Sequence, residues 1–247
     1  MEDEKVISLE GCEYESMIGN SEIIKLIFNG KELPIEISAT INLHGVGNDK
    51  RKKENAYAEI KETKDHITIN ARSGDFESKK IILGYPSLRI GNCPWGLVSN
   101  FSFGRLNEYE KIKIKTDYDF SLKGNANLIF DIWLTKERDG IPKKGDVEIM
   151  IWLDYKHKPS WKKLPDFKDF QVSHQQKKRK DGWEVFAFFD NKKSRKISFD
   201  LVEIINHIKS EVDLENHFIR SIEIGNEFLK NVELTTKIYD LEIELTE

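Results

Sequence analysis

Apolar and polar residues alternate with a period of two through much of this chain. The runs are short and evenly spread, at 21–30 (SEIIKLIFNG), 33–43 (LPIEISATINL), 65–71, 110–122, 126–135, 146–155, 182–190 and 237–245. Between 110 and 122, Ile112 and Ile114 alternate with Lys111, Lys113 and Lys115, the pattern of a strand with one buried face. Turn-forming residues separate the runs: Asn29-Gly30, Ser73-Gly74-Asp75, Asp139-Gly140 and Asp181-Gly182. Many short strands at such spacing predict an all-β sandwich or jelly roll. One segment breaks the pattern. Leu201, Ile204, Ile205 and Ile208 fall at helical spacing behind a candidate N-cap, Asp200, with Glu203 three residues on. A single helix packed by that stripe on the back of a sheet is expected. No internal repeat or Pro/Gly-rich linker divides the chain, so residues 1–247 are read as one domain.

Composition narrows the functional classes. At 247 residues the chain can bury a large core without disulfides or metals. A net charge of −4 disfavours nucleic acid or an anionic membrane as the main partner. Two basic clusters, 49–53 and 177–180, lack interleaved aromatics and read as solvated loops. Lys and Glu dominate the charged residues, a bias common in heat-adapted proteins; plentiful Asn argues the other way. Cys12 and Cys93 have no metal-ligand spacing, and the six His residues show no paired ligand motif. No metal or cofactor is therefore expected. The opening MEDEKVISLEG has no basic region followed by an apolar run, and no stretch is apolar for the length of a membrane span. The expectation is a cytoplasmic chain, or a secreted one whose leader has been removed, and most simply a monomer.

Three strands carry residues that do not fit a plain core. In GDVEIMIWLDY (145–155), Ile149, Ile151 and Leu153 form an ordinary core row, while Glu148 shares the other face with Met150 and Trp152. In LIFDIWL (128–134), Asp131 and Trp133 oppose Leu128, Phe130, Ile132 and Leu134. The turn at 136–145 makes these two strands antiparallel neighbours and brings Asp131 near Glu148. In the segment 218–236, Glu223, Gly225 and Glu227 share a face, and Gly225 admits a close approach by substrate or backbone. Glu227 precedes Phe228-Leu229, and apolar neighbours raise a carboxyl pKa. Glycosidic bonds are cleaved by two carboxyl groups, one of them a proton donor, and sugar rings stack their C–H faces on aromatics. Each residue also has a plain reading, as a half-exposed edge Glu or a solvent-facing Asp.

The strings themselves resemble glycoside hydrolase family 12, the jelly-roll endo-β-1,4-glucanases. VEIMIWLDY (147–155) resembles the strand that carries the family's nucleophile. FDIWLT (130–135) resembles the strand whose Asp supports it. IGNEFLKNVELTT (224–236) resembles the Gly-x-Glu segment of the acid/base, and GYPSLRIGNCPW (84–95) a segment of thermophilic members. The resemblance implies two antiparallel sheets with a concave substrate cleft. It assigns Glu148 as nucleophile, Glu227 as acid/base and Asp131 as support, in a retaining cleavage of cellulose, mixed-linkage β-glucan or xyloglucan. It implies sugar contacts from Met150, Trp152, Trp95 and Trp161. Where the family carries Asn-x-Trp-Gly, this chain has Asn55-Ala56-Tyr57-Ala58, so Asn55 and Tyr57 are the corresponding candidates. The alternative from another class is a non-catalytic glycan-binding sandwich, lectin-like or a carbohydrate-binding module.

Overall fold

The computed structural model describes residues 5–9, 13–19, 21–43, 45, 55–75, 82–92, 99, 101–175 and 182–247. Cys12, Cys93, Trp95 and both basic clusters lie outside these residues. Two sheets pack face to face. The eight-stranded sheet holds β1 (Lys5–Leu9), β3 (Ile24–Phe28), β4 (Lys31–Leu33), β6 (Ala56–Glu62), β7 (Ile67–Ser73), β9 (Lys111–Lys123), β15 (Lys196–Asp200) and β17 (Val232–Thr246). The nine-stranded sheet runs β12 (Lys162–Lys163), β13 (Phe170–Gln175), β14 (Glu184–Asp190), β11 (Val147–Tyr155), β10 (Asn127–Thr135), β16 (Phe218–Gly225), β8 (Tyr85–Gly91), β5 (Ile37–Asn42) and β2 (Glu13–Gly19). This is the β-jelly-roll sandwich. Its sheets are not purely antiparallel: β11 pairs β14, and β17 pairs β3, in parallel.

The alternation seen along the chain decides which face of each strand meets the other sheet. Leu128, Phe130, Ile132 and Leu134 of β10 join Ile149, Ile151 and Leu153 of β11 in the buried core, with Ile112 and Ile114 of β9 on the opposing sheet. Each such side chain contributes about 1.5–3 kcal/mol on leaving water. Tyr118 on β9 spans the two layers and donates its hydroxyl to the Leu153 carbonyl at 3.2 Å. The β3–β4 hairpin closes through Asn29 and Gly30, with φ of 46° and 78°. Two left-handed residues in a two-residue loop are what the twist of such a hairpin requires.

The helix α1 (Leu201–Ile208) buries Leu201, Ile204, Ile205 and Ile208. Asp200 caps it by accepting from the Val202 N–H at 2.9 Å. Glu203 does not complete a capping box by reaching back; its carboxylate pairs with Lys168. Asp200 Oδ1 also accepts from the Ile112 N–H at 3.3 Å, so one carboxylate ties the helix start to β9. Asp200→Ala should lower stability by about 1 kcal/mol, read as a shift of the denaturant midpoint at unchanged slope.

Candidate active site

The face of the nine-stranded sheet that turns away from the core is built from the other half of each alternation. Strand register lays it out in rows. Ser221, Trp133, Glu148 and Val185 lie opposite one another across β16, β10, β11 and β14. One row along come Arg89, Glu223, Asp131, Met150 and Ala187 across β8, β16, β10, β11 and β14. The following row holds Ser87, Gly225, Ile129, Trp152 and Phe189. A second apolar cluster covers part of this face: Ile129, Met150, Trp152, Tyr155, Val185, Ala187 and Phe189, with Tyr85, Trp161 and Trp183 packed against it. Carboxyl groups therefore project from an aromatic floor.

Glu148 is half-buried, and the Trp183 indole N–H donates to its Oε2 at 2.6 Å. Trp183 in turn meets Trp133 edge-on at 5.3 Å. These two indoles fix the direction of the Glu148 carboxylate. Glu227 follows β16 and is held by Asn127 at the start of β10. The Asn127 amide Nδ2 donates to Glu227 Oε2 at 2.8 Å, and Asn127 Oδ1 accepts from the Glu227 N–H at 2.9 Å. Burial pushes the Glu227 carboxyl up to about 7, the Asn127 hydrogen bond opposes it, and the charge of Glu148 adds to the rise. Glu148 and Glu227 thus stand over the same face of the sheet within electrostatic reach of each other.

Asp131 lies between them on β10, and only 8% of it is exposed. Burial, then the charges of Glu148, Glu223 and Glu227, hold its carboxyl well above the usual range, while a Trp133 hydrogen bond works the other way. Among the described residues, Asp131 Oδ1, the Tyr85 hydroxyl and the Trp152 indole N–H have no hydrogen-bond partner. Buried polar atoms are ordinarily paired, so unsatisfied donors and acceptors gathered on one groove are features of a site that meets polar ligand atoms. Tyr85 faces all four carboxyl groups: burial, then Asp131, Glu223, Glu227 and Glu148, raise its hydroxyl well above normal, and it stays neutral.

Residues 99–245 match the family model Glycosyl hydrolase family 12. The chain belongs to glycosyl hydrolase family 12. Solved structures carry the same fold at low identity. A native family 12 xyloglucanase from Bacillus licheniformis is 17% identical, with a TM-score of 0.71 over 94% of this chain and 100% of that one. Endoglucanase 3 from Trichoderma harzianum is 11% identical, with a TM-score of 0.69 over 99% of each chain. An endoglucanase from Rhodothermus marinus is 15% identical, with a TM-score of 0.66 over 94% of this chain and 98% of that one. No curated protein matches the chain closely enough to count. Membership in family 12 makes this a glycoside hydrolase.

Against that family frame, the structure gathers Glu148, Glu227, Asp131, Met150, Trp152 and Trp161 on one face and leaves others elsewhere. Tyr57 is a correction. Ala56, Ala58 and Ile60 of β6 point into the core, so Tyr57 alternates to the solvent side of the eight-stranded sheet, across the sandwich from the carboxylates. There the Arg72 guanidinium lies 5.2 Å from its ring centroid. Asn55 is exposed at the start of β6 and lines an open pocket of about 500 Å³ with Arg72, Ser73, Gly74, Lys123 and Glu233; none of the candidate catalytic carboxylates is in its wall. Gly225 admits a backbone rather than a substrate: a Cβ there would sit 2.4 Å from the Pro86 carbonyl oxygen of β8.

Three contributors escape sequence reasoning: Trp183, Asn127 and Tyr85. Trp183 and Tyr85 sit at strand starts outside any alternation, and Asn127 is tied to Glu227 from a hundred residues away. The Gly-Tyr-Pro string was the one available signal for Tyr85. Because the Asn127 amide favours the charged form of Glu227, Asn127→Ala should move the Glu227 titration midpoint above about 7. Carboxyl-labelled NMR titration reads it; a downward move would refute the assignment.

Proposed function

We propose that this chain is a retaining endo-β-1,4-glucanase acting on cellulose, mixed-linkage β-glucan or xyloglucan. The observation that carries the reading is the contrast between two carboxyl groups over one aromatic groove. Glu227 is half-buried like Glu148, but desolvation pushes its carboxyl up to about 7, as suits a proton donor. Glu148 is oriented by an indole N–H and flanked by Met150 and Trp152. A xyloglucanase and two endoglucanases among the similar structures support a β-glucan substrate.

In this mechanism a Glu148 oxygen attacks the anomeric carbon as the glycosidic C–O bond breaks. Glu227 passes its proton to the departing oxygen. A water then gives a proton to Glu227 and attacks the same carbon, which releases Glu148. Tyr85, Trp152 and Trp161 meet the sugar hydroxyls and ring faces.

Reducing-sugar release from barley β-glucan tests the proposal. Glu148→Gln and Glu227→Gln should each lose several orders of magnitude in turnover with folding intact. A wild type as inert as both variants, yet still binding the glucan, would make this a binding module. Activity should fall as pH rises through about 7, where Glu227 gives up the proton it must donate. Azide should rescue Glu148→Ala and yield a glycosyl azide of inverted configuration. An unchanged configuration would rule out nucleophilic attack by Glu148.

A further inference from the structure

The mechanism above leaves one buried carboxyl group unused. Glu223 on β16 is 4% exposed and sits directly between Arg89 of β8 and Asp131 of β10 in the strand register. Arg89 is itself 2% exposed, and a guanidinium keeps its charge when buried. Both Glu223 oxygens receive hydrogen bonds: the Ser87 hydroxyl donates to Oε2 at 3.1 Å, and the Ser221 hydroxyl to Oε1 at 3.2 Å. Donors on both oxygens and a cation opposite all favour a charged carboxylate. On its other side stands Asp131, whose Oδ1 finds no partner among the described residues.

We propose that Glu223 is a positioning residue: its fixed negative charge holds a proton on Asp131, so that Asp131 faces Glu148 as a neutral donor. The row Arg89, Glu223, Asp131 then alternates positive, negative and neutral, ending one row from Glu148. The charged and titratable groups around Asp131 are Glu148 of β11, Glu223 of β16, Glu227 beyond it, and Tyr85 and Arg89 of β8. Among these, Glu223 receives a serine hydroxyl on each oxygen, whereas Asp131 has a Trp133 hydrogen bond and, among the described residues, no donor on Oδ1. Two adjacent carboxylates cannot both be ionised cheaply, so anchoring the charge on Glu223 displaces it from Asp131. A neutral Asp131 leaves the charge of Glu148 intact for attack. Burial and the charge of Glu148 favour that proton as well; the role of Glu148 in attack rests on the reading given above, whereas the contribution of Glu223 rests on its place in the strand register and its own donors.

Infrared spectroscopy separates the two. Protonated buried carboxyl groups give a carbonyl band distinct from carboxylate. In Glu227→Gln, which removes the other high-titrating carboxyl, that band should persist at neutral pH. Adding Asp131→Asn should abolish it. Adding Glu223→Gln should lower its titration midpoint by about one pH unit or more, a tenfold loss of proton affinity, while adding Glu223→Asp should retain it. A band that survives Asp131→Asn, or a midpoint unmoved by Glu223→Gln, overturns the proposal. Asp131→Asn decides the location of the proton even if Glu223→Gln does not fold. In the wild-type background, Glu223→Gln should lower kcat and alter the pH profile with KM little changed; an unaltered profile also overturns it. Loss of all glucanase activity in wild type with the infrared result intact would instead refute the functional reading.

Discussion

Asp131, Glu148, Glu223 and Glu227 crowd one face of one sheet, around the hydroxyl of Tyr85. Like charges so close, partly cut off from water, cannot all be ionised. The protein must decide which keep their protons, and it decides with fixed neighbours. Glu223 has two serine hydroxyls and faces Arg89. Glu148 has the Trp183 indole N–H. Glu227 has burial with a single Asn127 donor, and its carboxyl rises to about 7. Asp131 has the deepest conflict, between burial and three charges. Different neighbours around chemically similar groups give them different affinities for a proton.

That arrangement requires a stiff support. The same strands that present the carboxyls bury Phe130, Ile132, Ile149 and Ile151 on their reverse face. A close-packed core holds side chains in place against the repulsion that crowded carboxyls generate. The close approach of β8 to β16 at Gly225 brings Ser87 and Arg89 against the segment that carries Glu223. Asn127 then links the end of β16 to β10, so the acid moves with the sheet rather than with a loop.

How much of this is legible along the chain depends on the range of the interaction. The faces of β10 and β11 follow from alternation, and their antiparallel neighbourhood from the connection at 136–145; the register that sets Asp131 opposite Met150 is seen only in the structure. The apolar stripe of α1 is legible for the same reason, and its cap at Asp200 is local. Strands with a weak apolar face do not stand out in advance: β6 buries two alanines and one isoleucine, β15 is short with two apolar residues, and β13 sets His174 on the face of Phe170 and Val172. The resemblance places Tyr57 on a sugar-facing platform, but a strand residue between two buried alanines points outward.

Local patterning by itself determined which side chains share a face, because successive residues of a strand alternate whatever they pair with. It thereby nominated Glu148, Asp131 and Glu227 with Met150 and Trp152. Only the tertiary structure decided the company those groups keep. The Trp183 bond to Glu148, the Asn127 clasp on Glu227 and the place of Glu223 between Arg89 and Asp131 join segments 35 to 134 residues apart. The protonation of a carboxyl depends on what lies within a few ångströms, and distance in space is set by how the strands are ordered in the sheet.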